Sequence, residues 1–490
     1  MSRLYIFLLI ILIGCNQAPS KIKNIDLPNI LFLFADDYTF DAIHALGNEV
    51  IETPNLDQLV RNGTHFSQAF NMGGWNGAVC IASRSMIITG QSIWDAKALT
   101  DDWKQNKRMN QASLSWGKLM EQKGYQTYMT GKWHVSIDPK MIFQTVRNIR
   151  PGMPKDYWNT EDKKGYDRPK EGKKDTWIAS DSLNEGFWEG GKHWSEVIKD
   201  DALDFLKISS QNEAPFFMYL AFNAPHDPRQ SPQSFLDRYP LEKIPLPENW
   251  LPEYPFKDAI GNSKKLRDEA LAPYPRTPYA IKTHMREYFA IITHLDEQIG
   301  KILHALEASG RAGNTYIFFT GDHGLSVGKH GLLGKQNLFD HSIRVPLIVS
   351  GPDIPRNKCI NHAVYFQDIM ASSLELAEIP KPNSVAFKSF LSLIKGKEKK
   401  LLYPEGIYGA YMDSQRMIRK DEYKLVIYPK IKKILLFDLQ NDPLEQYDIS
   451  NEFQYKKTVK NLFESLILLQ RKYKDSLDLY SIYSRQNFDI

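Results

Sequence analysis

The sequence predicts an α/β fold, with a large, mostly parallel (mixed) sheet flanked by helices and a smaller C-terminal α+β domain built on an antiparallel sheet. Three observations point to it. Apolar runs such as Asn29 to Ala35 (NILFLFA) lack alternation, as expected of strands buried on both faces. Amphipathic stretches at helical spacing fall between these runs. Beyond Lys395 to Lys400, a basic run containing glycine, the pattern changes to short strands separated by turns.

The chain opens with Arg3 ahead of an apolar stretch from Leu4 to Ile13, far shorter than the ~20 residues that span a bilayer. It ends Leu12-Ile13-Gly14-Cys15, which reads as a bacterial lipoprotein signal peptide over residues 1–14, with Cys15 as lipid anchor and a polar tether over 15–26. An ordinary signal peptide is the alternative. Either way the protein is expected to be exported, and the lipid would hold it to a membrane, facing the periplasm or the cell surface.

Residues 27–394 form the expected catalytic α/β domain. Its first strand, Asn29 to Ala35, ends in Asp36-Asp37. A helix with Trp116, Leu119 and Met120 on one face stops at Gly124 and feeds a strand, Tyr125 to Thr130, that runs into Gly131-Lys132-Trp133-His134. Phe216 to Phe222 is a third strand and leads to Pro225-His226-Asp227. A long helix through Tyr288, Ile291, Leu295, Ile299 and Leu306 precedes the strand Thr315 to Thr320, which ends in Gly321-Asp322-His323. Pro346 to Ser350 is the next strand. Two segments break the alternation, 138–181 and 228–283, and both read as substrate-shaping loops, with poorly ordered connections the alternative. The C-terminal α+β domain is expected over 401–490, with strands near Gly406 to Met412, Arg416 to Arg419, Tyr423 to Tyr428 and Ile434 to Asp438, then a helix from Gln454 to Lys474.

With 62 basic and 58 acidic side chains the net charge is only +4, which gives no footprint for nucleic acid. Three cysteines do not make a disulfide framework. Cys359, near a proline turn, reads as a half-buried packing residue.

In parallel sheets, ligands bind beyond the carboxyl ends of the strands. Four strands here end in acids, histidines or a lysine, so one rim gathers Asp36, Asp37, Lys132, His134, His226, Asp322 and His323. Three carboxylates on one rim repel unless a cation neutralises them, so a divalent metal is the natural occupant. A helix cap or turn is the alternative for an isolated Asp-Asp pair. The histidines can transfer protons near neutral pH. Lys335 adds mobile positive charge, and Arg84 lies one helical turn from Cys80. Cys80 itself, at a predicted helix start, is a candidate nucleophile. A metal, a nucleophile, two lysines, two histidines and an arginine describe a site for an anionic ester.

These residues lie in motifs that occur in a fixed order: NILFLFADD at 29–37, TPNLDQL at 53–59, CIASR at 80–84, GYQTYMTGKWH at 124–134, APH at 224–226 and TGDHG at 320–324. In that order the chain resembles the type I sulfatases of the alkaline-phosphatase superfamily, and LFDLQNDPLE at 436–445 resembles that family's C-terminal turn. The resemblance implies an alkaline-phosphatase-like sheet and oxidation of Cys80 to formylglycine (3-oxoalanine) by a maturation enzyme. It implies a calcium ion held by Asp36, Asp37, Asp322 and His323, with position 80 completing the shell. Hydrated formylglycine would attack sulfur, with Lys132 and Lys335 neutralising the sulfuryl oxygens. His226 would protonate the leaving alcohol, His134 would deprotonate the remaining hydroxyl, and Arg84 would orient position 80. Ala82 stands where many members carry proline; His323 replaces the asparagine of many relatives and matches an iduronate-sulfatase-like branch.

The function expected is hydrolysis of sulfate esters on a sulfated carbohydrate, polysaccharide-derived and of marine type, such as ulvan or carrageenan. Trp75, Asn76, His193 and Trp194 are candidates for sugar contacts, with packing the alternative for each. The competing functions are a phosphonate monoester hydrolase or phosphodiesterase of the same superfamily and a non-catalytic glycan-binding lipoprotein.

Overall fold

A computed structural model describes residues 27–183, 186–397 and 400–483. The leader, the tether and Cys15 lie outside these residues. Among the described residues no helix is long and apolar enough to cross a membrane.

Asn29–Ala35 is the central strand of the large sheet, and all seven of its residues are buried. Its side chains alternate between two cores: Ile30, Phe32 and Phe34 enter one, Leu31, Leu33 and Ala35 the other. Both faces are therefore apolar, which is why the sequence run shows no period. The strand pairs in parallel with Phe216–Ala221 and with Thr315–Gly321. Gln126–Lys132 and then Thr145–Arg150 extend the sheet beyond the former, also in parallel. Arg344–Ser350 lies beyond the latter, antiparallel both to it and to Thr64–Phe70. Short strands Lys358–Ile360 and Val364–Tyr365 finish that edge of a nine-stranded mixed sheet.

One face is covered by the helices Val79–Thr89, Trp116–Gln122 and Asp368–Leu376, with Trp116 against Phe32 at 5.1 Å. Pro54–Asn62, Trp194–Ser209 and Pro278–Ala308 cover the other. The last of these begins at Pro278, inside the segment read as an insertion, rather than near Tyr288. Proline at the first helical position carries no amide that needs a partner, and the Thr277 hydroxyl accepts from the Ala280 amide at 3.2 Å. Cys359 is exposed on the Lys358–Ile360 edge strand rather than half-buried, because alternation turns Ile360 inward instead.

The second sheet has Lys433–Asp438, Tyr423–Tyr428, Gln415–Lys420 and Ile407–Tyr411 in antiparallel order. Its fifth strand, Gly73–Gly74, comes from the loop that precedes Cys80. A Cβ at Gly73 would lie 2.0 Å from the Ala410 carbonyl oxygen, and φ there is +89°, so this seam requires glycine. The C-terminal sheet thereby braces the segment that carries the candidate nucleophile.

A buried ion cluster adds to the joint. Lys424, fully buried, meets Asp340 at 2.9 Å and Glu445 at 2.6 Å, and Arg419 reaches Asp340 at 2.7 Å. Removing one member of such a cluster leaves a charge stranded. Lys424→Met is expected to cost about 3 kcal/mol of stability in a denaturant titration.

Candidate active site

Most of the candidate side chains stand where a parallel strand stops. Asp36 and Asp322 extend the ladder by one residue, the Asp36 amide donating to Ala224 O at 3.2 Å and the Asp322 amide to Ala35 O at 3.1 Å. Asp37 then turns the chain with φ of 63°, and His134 does so at 54°. Lys132 is the last residue of its strand. Cys80 occupies the first turn of Val79–Thr89, where backbone amides lack intrahelical partners and anionic groups are favoured.

These groups converge. The His323 Nε2 lies 3.2 Å from Asp37, 3.5 Å from Asp322 and 3.4 Å from the Cys80 sulfur, while its Nδ1 faces the Gly324 carbonyl at 3.0 Å. Lys335 Nζ donates to both Asp37 oxygens, at 2.9 and 3.0 Å, and lies 2.9 Å from His226 Nε2. Lys132 pairs with Asp36 Oδ2. Arg84, fully buried, donates to Asp322 at 3.0 Å and to the Lys132 carbonyl at 2.9 Å, with its guanidinium 4.6 Å from the Phe34 ring centroid. Asp36 Oδ1 is buried without a hydrogen-bond partner.

The electrostatics follow from that crowding. Burial, with Asp322 and Cys80 beside it, holds the Asp36 carboxyl well above its ordinary range despite Lys132. Burial alone would push the Cys80 thiol up, but Lys132, Lys335 and His323 outweigh it and hold the thiol well below its usual value. Burial opposes charge on His323 too, yet Asp322 and Asp37 raise it to about 9. Burial depresses His134, which keeps it neutral at neutral pH. Asp36, with its buried oxygen that lacks a hydrogen-bond partner, Asp37, the Cys80 sulfur and the His323 imidazole lie close enough together to hold one ion, with Asp322 3.5 Å from His323 Nε2, and such a set fits a divalent cation.

The cluster opens through Cys80 and Lys335 onto a cavity of about 370 Å³, while its carboxylates and His323 lie buried behind them. Cys80, His134, His226 and Lys335 line it, together with Pro151, Gly152 and Met153 from the first insertion and Leu266, Arg267 and Asp268 from the second. A cavity of about 410 Å³ at the opposite end of the strands, near Asn55 and Arg356, holds none of these groups.

Gly152 has a steric reason: a Cβ there would fall 2.3 Å from His134 Cε1. Gly152→Ala is expected to push the imidazole toward water, so its depressed pKa relaxes upward. Steady-state kinetics should show kcat down roughly tenfold or more, and the acid limb of the pH profile moved to higher pH.

Three of the sugar-contact candidates sit elsewhere. His193 is fully buried; its Nδ1 accepts from the Ser195 amide at 3.1 Å as a helix cap, and its ring stacks on Phe187 at 5.0 Å. Trp194 is buried in the next position, with the Arg150 guanidinium 4.6 Å from its ring centroid. Neither lines the cavity. Trp75 packs in the core under the C-terminal sheet. Asn76 immediately precedes Gly77 and Ala78, which do line the cavity.

Sequence reasoning passed over a cluster beside His226. The Asp227 carbonyl faces His226 Nδ1 at 2.6 Å, and Arg267 pairs with Asp227 and with Asp268, the latter at 2.6 Å. Gln336 donates to Asp268 at 2.7 Å. Asp227, next to His226, was within reach of motif reasoning. Arg267 and Asp268 had no local signal, since a charged pair in a loop reads as a solvated turn.

Known proteins match most of the chain. The Sulfatase family matches residues 28–379, and the family described as N-sulphoglucosamine sulphohydrolase, C-terminal, matches 328–472. The N-acetylglucosamine-6-O-sulfatase of Bacteroides thetaiotaomicron is 25% identical, over 92% of this chain and 87% of its own. An ulvan-active sulfatase of Formosa agariphila is also 25% identical, over 92% of this chain and 83% of its own. A solved structure in complex with its substrate D-glucosamine-2-N,6-O-disulfate superposes with a TM-score of 0.72 at 24% identity, covering 92% of this chain and 98% of that one.

Proposed function

The chain belongs to the type I sulfatase family and is a sulfuric ester hydrolase; from that premise we propose that it desulfates a sulfated carbohydrate, using formylglycine formed from Cys80 and a calcium ion. The observation that carries the proposal is the meeting of three carboxylates and His323 Nε2 with Cys80, which itself lines the cavity. Asp36, Asp37, Asp322 and His323 would hold the ion. Bound there, it would supply Lewis-acid stabilisation of the sulfuryl oxygens. Formylglycine would supply a geminal diol, a nucleophile whose second hydroxyl gives it a way to release sulfate that a thiol lacks.

The chain's own residues do the rest. Lys132 and Lys335 place two ammonium groups beside position 80, where negative charge grows on the sulfuryl group. Arg84 locks Asp322 and the end of the Lys132 strand against each other. His226 donates its Nδ1 proton to the Asp227 carbonyl, leaving Nε2 as the atom that exchanges protons. Lys335 Nζ, held by both Asp37 oxygens, abuts that atom and fixes the ring that protonates the leaving oxygen. His134, neutral and with Nδ1 buried without a partner, accepts the proton released at position 80.

A carbohydrate substrate is supported by the relatives, named for N-acetylglucosamine-6-O-sulfate and ulvan. On the same proposal, a maturation enzyme acts on Cys80, and the protein is exported and tethered through Cys15. The test uses protein coexpressed with a maturation enzyme. Sulfated saccharides and a phosphodiester are assayed side by side, with a peptide mass for the segment containing Cys80. Sulfate release, an aldehyde mass and loss of activity to a calcium chelator, restored by calcium, are expected. Faster phosphodiester turnover, or an intact thiol in fully active protein, sinks the proposal.

A further inference from the structure

The two insertions also build a second cavity, of about 390 Å³, that shares a wall with the first. One segment serves both: Leu266, Arg267 and Asp268 face the reaction cavity, while Lys264, Glu269 and Ala270 face the second. Tyr166 lines the second cavity, and its hydroxyl accepts from Arg267 Nη1 at 3.0 Å, so the partition is a bonded one.

The lining has a definite chemistry. Trp158 and Tyr166 meet at 5.1 Å between ring centroids with planes at 55°, forming an aromatic corner. Lys163 Nζ lies 4.4 Å from the Trp158 centroid, and Lys264 Nζ lies 5.5 Å from that of Tyr274. Both lysines are exposed, and among the described residues neither forms an ion pair with a carboxylate. The acids in the lining are already engaged. Glu269 accepts from the Leu333 and Gly334 amides, from Tyr274 and from Arg276, and Asp167 pairs with Lys170. The cavity therefore offers aromatic surface and two uncompensated ammonium groups. Its volume falls within the usual range for small-molecule sites.

We propose that this cavity binds a second, anionic sugar unit of the same glycan chain whose sulfate ester sits in the reaction cavity. The inference rests on the carbohydrate reading above. Aromatic faces pack against the apolar C–H face of a pyranose, and the lysines pair with its sulfate or carboxylate. By contrast, the side chains lining the reaction cavity next to Cys80 leave little spare charge for a neighbouring unit, because Arg267 is consumed by Asp227 and Asp268.

The experiment compares three substrates of the matured full chain: an aryl sulfate, a monosaccharide sulfate, and ulvan and carrageenan tetrasaccharides with and without a distal anionic group. The Lys163→Gln/Lys264→Gln double variant removes charge from exposed positions, and Trp158→Ala removes the aromatic corner. For tetrasaccharides carrying the distal anion, kcat/KM should fall about tenfold through KM, and its salt dependence should flatten. Turnover of aryl sulfate and monosaccharide sulfate should not change. Equal losses on all substrates, or unchanged tetrasaccharide kinetics in the double variant, overturn the second site. A parent enzyme that hydrolyses the aryl sulfate yet neither binds nor cleaves any saccharide overturns the carbohydrate reading itself.

Discussion

Cys80→Ala is expected to abolish sulfate release, with kcat lower by about 10⁵-fold or more, the scale seen when a covalent nucleophile is deleted. The site around Cys80 explains why little should survive. On the proposed mechanism Lys132 and Lys335 would stabilise charge on a group being transferred, but without an attacking atom there is no transfer to stabilise. The fold should be intact, because alanine fits a buried position in a helix and the neighbouring Ser83 and Arg84 contacts do not involve the sulfur. Circular dichroism and retained binding of a sulfated saccharide would separate lost chemistry from lost structure. Activity within tenfold of the parent would mean that position 80 is not the nucleophile.

His226→Ala is expected to act through the leaving group. With a poor leaving group, such as a sugar hydroxyl, kcat should fall about 10²- to 10⁴-fold, the usual contribution of a general acid. With an aryl sulfate whose phenol departs without a proton, the loss should shrink to a small factor. Lys335 complicates the accounting, because its ammonium touches both His226 and Asp37. Lys335→Met should therefore impair both kinds of substrate, by removing charge stabilisation as well as the group that fixes the His226 ring. The double variant should lose less than the product of the single losses on the sugar substrate. An equal His226→Ala loss on both substrate types would assign the histidine to charge stabilisation or positioning instead.

The strands of the large sheet were legible because their burial is two-sided. Ile30 to Ala35 and Phe216–Ala221 are unbroken apolar runs, and each stops at the polar turn that carries a site residue. The Gln126–Lys132 strand runs further than expected, to Lys132, since a lysine that pairs with Asp36 can end a strand inside the protein. Thr64–Phe70 was missed because its polar residues alternate irregularly at the sheet's edge. The small sheet was expected from its short strands, but not its borrowed edge strand, Gly73–Gly74, which no local pattern marks.

By itself, the sequence determined the alternation that makes the sheet parallel and the identity of the groups at its strand ends. Cys80, Asp36, Asp37, Lys132, His134, His226, Asp322, His323 and Lys335 are all brought together. For the strand-end residues that much is fixed by chain direction: parallel strands finish on the same edge, so motifs far apart in sequence share a rim, which the helix carrying Cys80 and the loop carrying Lys335 then join. Tertiary structure alone decided what surrounds them. It sent His193 and Trp194 to a helix start and Trp75 to a core, and it brought Arg267, Asp268 and Gly152 to the cavity from two insertions. Insertions carry no period and no fixed register, so their side chains acquire neighbours only when the loops pack against the sheet and each other.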